Sequence, residues 1–243
     1  MKADGDGKGH ELAIGQDSAG AGIGRATALA LAQAGAKIIA TGRRKSELET
    51  LAKEGGGAIV TLAGDLNDKA FVDELAVQAR DVDIMVNNAG ILKYAPLMDM
   101  TDQDCEDMFQ TNVLASFRVT LAVARSMVAR RSGHIIVMTS IAAREVYPLG
   151  VIYCATKHAL SAFARGLRVE LQGHGIKVTE IAPGMVDTDI RATSTHPRVL
   201  EAVRVRKFTG LTAAEVAQAV VYAAEATPNC CPDFIELRPQ GSA

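Results

Sequence analysis

With 243 residues, 48% of them hydrophobic, the chain can bury one substantial core, and its length calls for no second domain. A formal net charge of −2 gives no general attraction to nucleic acid or to an anionic membrane surface. Four cysteines, with Cys230 and Cys231 adjacent, are too few for a disulfide framework and suit thiols in a reducing, cytoplasmic compartment.

The opening Met1–Gly7 has no apolar run and is not expected to be a secretory signal. No stretch approaches the roughly 18 apolar residues of a membrane span. The first strand candidate, Glu11-Leu12-Ala13-Ile14-Gly15-Gln16-Asp17, is poor, since its apolar part is short and it carries Glu, Gln and Asp. Ser18-Ala19-Gly20-Ala21-Gly22-Ile23-Gly24 follows and leads into a predicted helix over roughly 23–34. Glycines at such a turn let backbone approach a pyrophosphate, while the helix N-terminus offers free N–H groups and partial positive charge.

Lys37–Thr41 is a predicted buried strand, followed by Gly42-Arg43-Arg44. A carboxylate at the end of this strand would accept from an adenosine ribose 2′-hydroxyl. Two guanidinium groups stand there instead, and their forks match a phosphate. NADP(H) is therefore expected over NAD(H), the duller alternative being two arginines that face water at a helix start.

A helix over 45–54 and a strand over Ala58–Leu62 come next, then Gly64-Asp65-Leu66, with Asn67 as the expected cap of a helix over 68–79. Val82–Val86 is a strand ending in Asn87-Asn88-Ala89-Gly90, and one long helix is expected over 102–130, carrying Asn112. His134–Met138 is a strand, with Ser140 just beyond it. A helix over 151–172 carries Tyr153 and Lys157, which at i and i+4 share a face about 5–6 Å apart. A cation so placed favours the charged phenol and poises it for proton transfer; taken alone, the same spacing also describes an ordinary helix surface. Lys177–Ile181 is the sixth strand, followed by Pro183-Gly184-Met185-Val186-Asp187-Thr188. Residues 189–210 are rich in arginine and read either as a basic lid for a carboxylate-bearing substrate or as a polar surface helix. Thr212–Glu215 fits a capping box for a helix over 212–226, and Phe234–Leu237 is the last strand.

This alternation predicts an α/β fold: a single Rossmann-like, doubly wound parallel sheet of about seven strands with helices on both faces, in one domain over 1–243. The histidines (His10, His134, His158, His174, His196) are scattered and form no metal-ligand spacing, so no metal is expected. Arg125, Arg130 and Arg131 read as a solvated helix end.

Taken together and in order, the glycine turn, Asn87-Asn88-Ala89-Gly90, Asn112, Ser140, Tyr153-x-x-x-Lys157 and Pro183–Thr188 resemble the short-chain dehydrogenase/reductase family in its compact form, over nearly the whole chain. Gly42-Arg43-Arg44 and the tail Glu236-Leu237-Arg238-Pro239 are similar to NADP-dependent reductases of 3-hydroxy acids and small aldehydes or ketones. The resemblance implies Tyr153 as acid and base, Lys157 lowering its pKa and bonding the nicotinamide ribose, Ser140 donating to the substrate oxygen, and Asn112 holding a water that links Lys157 to solvent. It implies cofactor contacts from Ser18, Gly20, Gly22, Ile23, Gly24, Arg43, Arg44, Asp65, Leu66, Asn88, Ala89, Gly90, Tyr153, Lys157, Pro183, Gly184, Val186 and Thr188. It also implies a homotetramer or dimer formed through the helices at 102–130 and 151–172. Two departures stand out: Asp17-Ser18 occupies the place of the family's Thr-Gly, where a carboxylate repels phosphate, and the common Asp-Gly-Gly ending is missing. The expected activity is hydride transfer between NADP(H) and a carbonyl or alcohol. The alternatives are an idle relative with impaired cofactor binding, or the same chemistry with NAD(H).

Overall fold

The structure, a computed structural model, describes residues 11–14 (backbone only), 22–192 and 194–242. Asp17, Ser18 and Gly20 of the glycine turn lie outside the described residues.

Seven strands form one parallel sheet: β1 (Glu11–Ile14), β2 (Lys37–Gly42), β3 (Ile59–Ala63), β4 (Ile84–Asn87), β5 (Gly133–Met138), β6 (Ile176–Pro183) and β7 (Phe234–Leu237). Their spatial order is β3-β2-β1-β4-β5-β6-β7. The weak first strand is thus central, with Ile14 opposite Ala40 on one side and Val86 on the other. The winding direction reverses between β1 and β4, and a sheet of this kind opens a crevice beyond the carboxyl ends of the strands at that point.

The strands are hydrophobic on both faces because helices cover both. On one side, Leu31 of α1 (Gly22–Gln33), Leu48 and Leu51 of α2 (Lys45–Glu54) and Val216 and Val220 of α8 (Ala213–Ala224) pack on Ile38, Val86, Ile136 and Ile181. On the other, Phe71 and Leu75 of α3 (Lys69–Gln78), Val123 and Met127 of α5 (Ser116–Arg130) and Ala164 and Leu167 of α6 (Val151–Leu171) pack on Met85, Ile135, Val137 and Val178. Along β5 the residues alternate strictly, with Ile135 and Val137 to one core and Ile136 and Met138 to the other, as the two-residue pleat requires. Each such fully buried aliphatic chain contributes about 1.5–3 kcal/mol.

The capping box at Thr212 and Glu215 is present, and a second one, Thr101 with Asp104, starts α4 (Asp102–Phe109). Three expectations need correcting. Asp68, not Asn67, caps α3: its carboxylate accepts from the Ala70 N–H, and the Asn67 N–H instead donates to Asp65 Oδ1 at 2.8 Å. The helix expected over 102–130 is broken into α4, a π-helical turn over Gln110–Ala115, and α5. The arginines at its end are not merely solvated, since Arg130 donates to the Arg80 and Val82 carbonyls and Arg131 to the Gly173 carbonyl. The segment 189–210 contains a short helix, α7 (Pro197–Arg204), with a proline in its first turn, where its missing N–H costs nothing. Among the described residues no helix is long and apolar enough to cross a membrane.

Candidate active site

The C-terminal ends of β4, β5 and β6 deliver Asn88, Ser140 and Pro183 to one crevice. Among the described residues it comprises two adjoining cavities. One, of about 500 Å³, is lined by Gly22, Arg43, Arg44, Asn88, Gly90 and Lys157. The other, of about 400 Å³, is lined by Ser140, Tyr94, Tyr147, Arg191, Gly184 and Val186. Ile23, Tyr153, Pro183 and Thr188 face both, so the cavities meet at Tyr153.

The π-helical turn explains how Asn112 enters this region. A turn of this kind inserts an extra residue into the helical ladder and turns a side chain inward, and such turns recur at functional sites. Asn112 is completely buried. Its Nδ2 donates to the Ile91 carbonyl at 2.9 Å and to Thr156 Oγ1 at 3.1 Å, while Oδ1 accepts from the Ile91 N–H at 2.7 Å. The loop leaving β4 is thereby fastened to α6. Gly90 lies within this loop, and a Cβ built there would stand 3.5 Å from Asn112 Oδ1 and 3.6 Å from Lys157 Nζ.

Ser140 combines its two expected readings. Its Oγ accepts from the Ala142 N–H and donates to the Pro183 carbonyl, both at 3.2 Å, so it caps the short turn Ile141–Ala143 while lining the cavity. Gly22, with φ +56°, opens α1 in the left-handed region, and a Cβ there would meet Thr188 Cγ2 at 3.4 Å. Gly184 lets the C-terminal tail pass close: its N–H donates to the Leu237 carbonyl at 2.7 Å, and a Cβ would sit 3.0 Å from Pro239 Cδ.

Tyr153 and Lys157 are both buried on the inner face of α6, with the ammonium 5.8 Å from the phenol ring centroid. Lys157 Nζ donates to the Met138 carbonyl at 3.1 Å. Burial raises the Tyr153 pKa, the neighbouring Tyr94 raises it further, and Ser140 and Arg191 pull it back. The lowering by Lys157 that the sequence led us to expect is not among the main influences on the phenol here. Loss of solvent outweighs the other influences, and the phenol is held protonated. Burial also brings the Lys157 ammonium down to about 8.

That depression has a measurable consequence. Unfolded, the lysine titrates near 10.4, so between about pH 8 and 10.4 the unfolded chain binds more protons than the folded one. Stability from this group therefore rises with pH across that window, by on the order of 3 kcal/mol at most, and the burial cost is fully present below it. In urea unfolding from pH 7.5 to 10.5, the wild type should gain stability relative to Lys157→Met; parallel curves would mean that the ammonium is not buried in this way.

Several expected site residues lie elsewhere. Leu66 is wholly buried in the core with Phe71, Asp65 holds its own turn, and neither lines the crevice. Ala89 is a core residue, and Gly24 is buried within α1. Val186 and Arg44 do line the crevice, Val186 while bridging to Leu211 and Arg44 while pairing with Glu47 at 2.7 Å.

Sequence reasoning missed Tyr94 and Tyr147. Their hydroxyls are 2.8 Å apart, and Tyr94 meets Tyr153 edge-to-face with centroids 5.9 Å apart. No motif marks them, although the chain has only four tyrosines and three of them line this one cavity. Glu180 was also missed; it is a buried carboxylate on β6, accepting from Thr139 Oγ1 at 2.9 Å and Ser161 Oγ at 3.0 Å.

The family model described as short chain dehydrogenase matches residues 18–198. The NADP-dependent 3-hydroxy acid dehydrogenase YdfG of Salmonella typhi is 40% identical over 157 residues; the match spans 63% of this chain and 63% of that protein's length. The serine 3-dehydrogenase of Agrobacterium fabrum is 32% identical over 211 residues, 84% of each chain. Among solved structures, the closed form of a serine dehydrogenase complexed with NADP+ superposes with a TM-score of 0.88 at 30% identity, covering 96% of both chains.

Proposed function

This chain belongs to the short-chain dehydrogenase family, and we propose that it is an oxidoreductase moving hydride between NADP(H) and a carbonyl or alcohol, with Tyr153 as its acid and base. The observation that carries this reading is the convergence of Tyr153, Lys157 and Ser140 on the meeting point of two cavities, one of them bordered by Arg43 and Arg44.

The residues present fit the cofactor. Gly22 and Gly90 leave room that a Cβ would occupy beside Thr188 and Lys157, the start of α1 faces the same cavity, and the arginines Arg43 and Arg44 line it too. Arg43 and Arg44 would hold a 2′-phosphate, Asn88, Gly90 and Lys157 the nicotinamide ribose, and Pro183, Val186 and Thr188 the nicotinamide end. When bound, NADP(H) supplies the hydride.

The chain's own groups manage the proton and the charge. In reduction, the protonated Tyr153 hydroxyl gives its proton to the substrate oxygen, and burial keeps that proton available throughout the neutral range. Ser140 Oγ turns from the Pro183 carbonyl to donate to the same oxygen and stabilises its developing charge. The buried Lys157 ammonium lies near enough to favour the phenolate left behind. Asn112 positions the loop that carries Gly90. The apolar side chains of α7 and Phe208 close the substrate cavity and exclude water. Assembly as a dimer or tetramer is expected through α5 and α6, which leave Leu121 and Val169 exposed.

Titrating the purified protein with NADPH and with NADH, following nicotinamide fluorescence, tests the reading. NADPH should bind tighter by at least tenfold. Binding of neither would favour an idle relative, and tighter NADH would overturn the cofactor assignment.

A further inference from the structure

We propose that the cavity of about 400 Å³ in front of Ser140 and Tyr153 takes a neutral substrate with a ring-sized apolar group on the reacting carbon, an aryl ketone or the matching benzylic alcohol, rather than a small acid. The inference rests on the function proposed above and specifies the substrate class of that same site.

Three observations carry it. The first is the charge balance of the wall. Among the described residues two cationic side chains line this cavity, Arg191 and Arg206, and both are already partnered. Arg191 is hydrogen-bonded to Tyr94, and its Nη1 reaches the Val186 carbonyl at 3.4 Å. Arg206 Nη1 stands 3.0 Å from Asp187 Oδ1. The Tyr94 and Tyr147 hydroxyls lie 2.8 Å apart and bond to each other, and burial raises the pKa of both phenols, so neither adds a charge. A ligand's carboxylate would have to break one of these pairs to find a donor, whereas a neutral apolar group leaves them all in place. The second is size. An apolar cavity of about 150 Å³ takes a benzene ring. At about 400 Å³, this one has room for a nicotinamide ring and a second ring besides. A short acid would leave much of the space unfilled, and lining atoms that face a void lose their packing contacts. The third is the surface itself. Tyr94, Tyr147, Leu149, Val199, Val203 and Phe208 wall the space around Ser140 and Tyr153. Tyr94 meets Tyr147 and Tyr153 edge-to-face, with centroids 6.0 and 5.9 Å apart, and this aromatic corner offers a further ring the same mode of packing. Ile190 and Val203 also line the cavity yet remain 40% and 43% exposed. A ring entering there would take part of that apolar surface out of water, which favours binding in rough proportion to the area covered.

The test uses the full-length wild-type protein loaded with NADPH and measures by calorimetry the Kd of 1-phenylethanol, propan-2-ol and 3-hydroxybutyrate. An alcohol and the reduced cofactor cannot react with each other, so binding is read without turnover. 1-Phenylethanol should bind tighter than propan-2-ol by about tenfold or more, and 3-hydroxybutyrate should fall within about threefold of propan-2-ol. Phe208→Ala should weaken 1-phenylethanol by about fivefold or more and propan-2-ol by less than about twofold. Val203→Ala should act in the same direction, which keeps the comparison available if the first variant does not fold. 1-Phenylethanol binding no tighter than propan-2-ol, or more weakly than 3-hydroxybutyrate, would overturn the inference. So would an equal loss of both alcohols in the variants, the mark of a structural role. Failure of NADPH to bind would sink the proposed function instead, and the same three titrations on the cofactor-free protein would then decide for the cavity by the same criterion.

Discussion

Replacing Tyr153 with phenylalanine is expected to cut turnover of any active carbonyl by on the order of 10³-fold while leaving NADPH affinity within about twofold. The change is a single oxygen. Ring packing against Tyr94 and within the small cluster of Leu92, Met108 and Cys154 remains, so the fold should lose no more than about 1 kcal/mol, the size of one hydrogen bond. The kinetic effect is larger, about 4 kcal/mol in barrier height, because among the described residues no other group is placed to do the phenol's work. Ser140 has a hydroxyl but lacks the adjacent cation, Lys157 is buried against the Met138 carbonyl, and Tyr147 is committed to Tyr94. The phenol's raised pKa sharpens the expectation: the wild type carries the proton throughout the neutral range, so the variant should be deficient at every pH tested rather than at one end. Stopped-flow and steady-state NADPH oxidation, with fluorescence titration of cofactor, check both halves. Turnover within tenfold of wild type would remove Tyr153 from its role, whereas lost cofactor binding would make the hydroxyl a structural or binding group.

The fold was largely legible because its strands are short apolar runs and its helices amphipathic, and the two signals alternate without interruption. Even the poor strand at Glu11–Ile14 falls in place, since backbone pairing to β2 and β4 on both sides compensates for weak side chains. The π-helical turn at Gln110–Ala115 was not legible: its residues fit an α-helix equally well, and what opens the turn is packing, the demand of Asn112 for Ile91 and Thr156. Within the crevice, Ser140, Tyr153, Lys157, Gly22 and Gly90 were legible because fixed residue types at fixed spacings mark them along the chain. Tyr94, Tyr147 and Arg191 lie 44 or more positions apart in pairs along the chain and meet only through the tertiary fold, so no local pattern announces them. The sign of the Tyr153 shift was misjudged for a related reason. Sequence places a cation four residues away but says nothing of burial, and burial is the larger influence.

Combining Arg43→Ala with Arg44→Ala should weaken NADPH by about 100-fold and NADH by less than threefold. Strand β2 ends at Gly42 without a carboxylate, and both arginines follow directly at the rim of the larger cavity. A 2′-hydroxyl would find no acceptor there, while a 2′-phosphate would meet two planar forks; charge-assisted hydrogen bonds of that kind contribute about 1.5–3 kcal/mol each. Arg44 is bound to Glu47 at 2.7 Å, but that pair is half-exposed and worth at most about 1 kcal/mol, so it yields to a dianion. Glu47 in turn competes for Arg44, and Glu47→Gln should tighten NADPH by a few-fold without touching NADH. Because the arginines are exposed, the preference for NADPH should shrink as salt rises from 0.05 to about 0.5 M, as screening shortens the reach of both charges. Loss of the Arg44–Glu47 pair at the start of α2 lowers stability by less than about 1 kcal/mol, which thermal unfolding of the double variant will register apart from binding. Equal weakening of both cofactors would assign the arginines to a general structural role, and no change in either would mean that they face water. Only a loss confined to the phosphorylated cofactor fits two guanidinium groups standing where a carboxylate would select NADH.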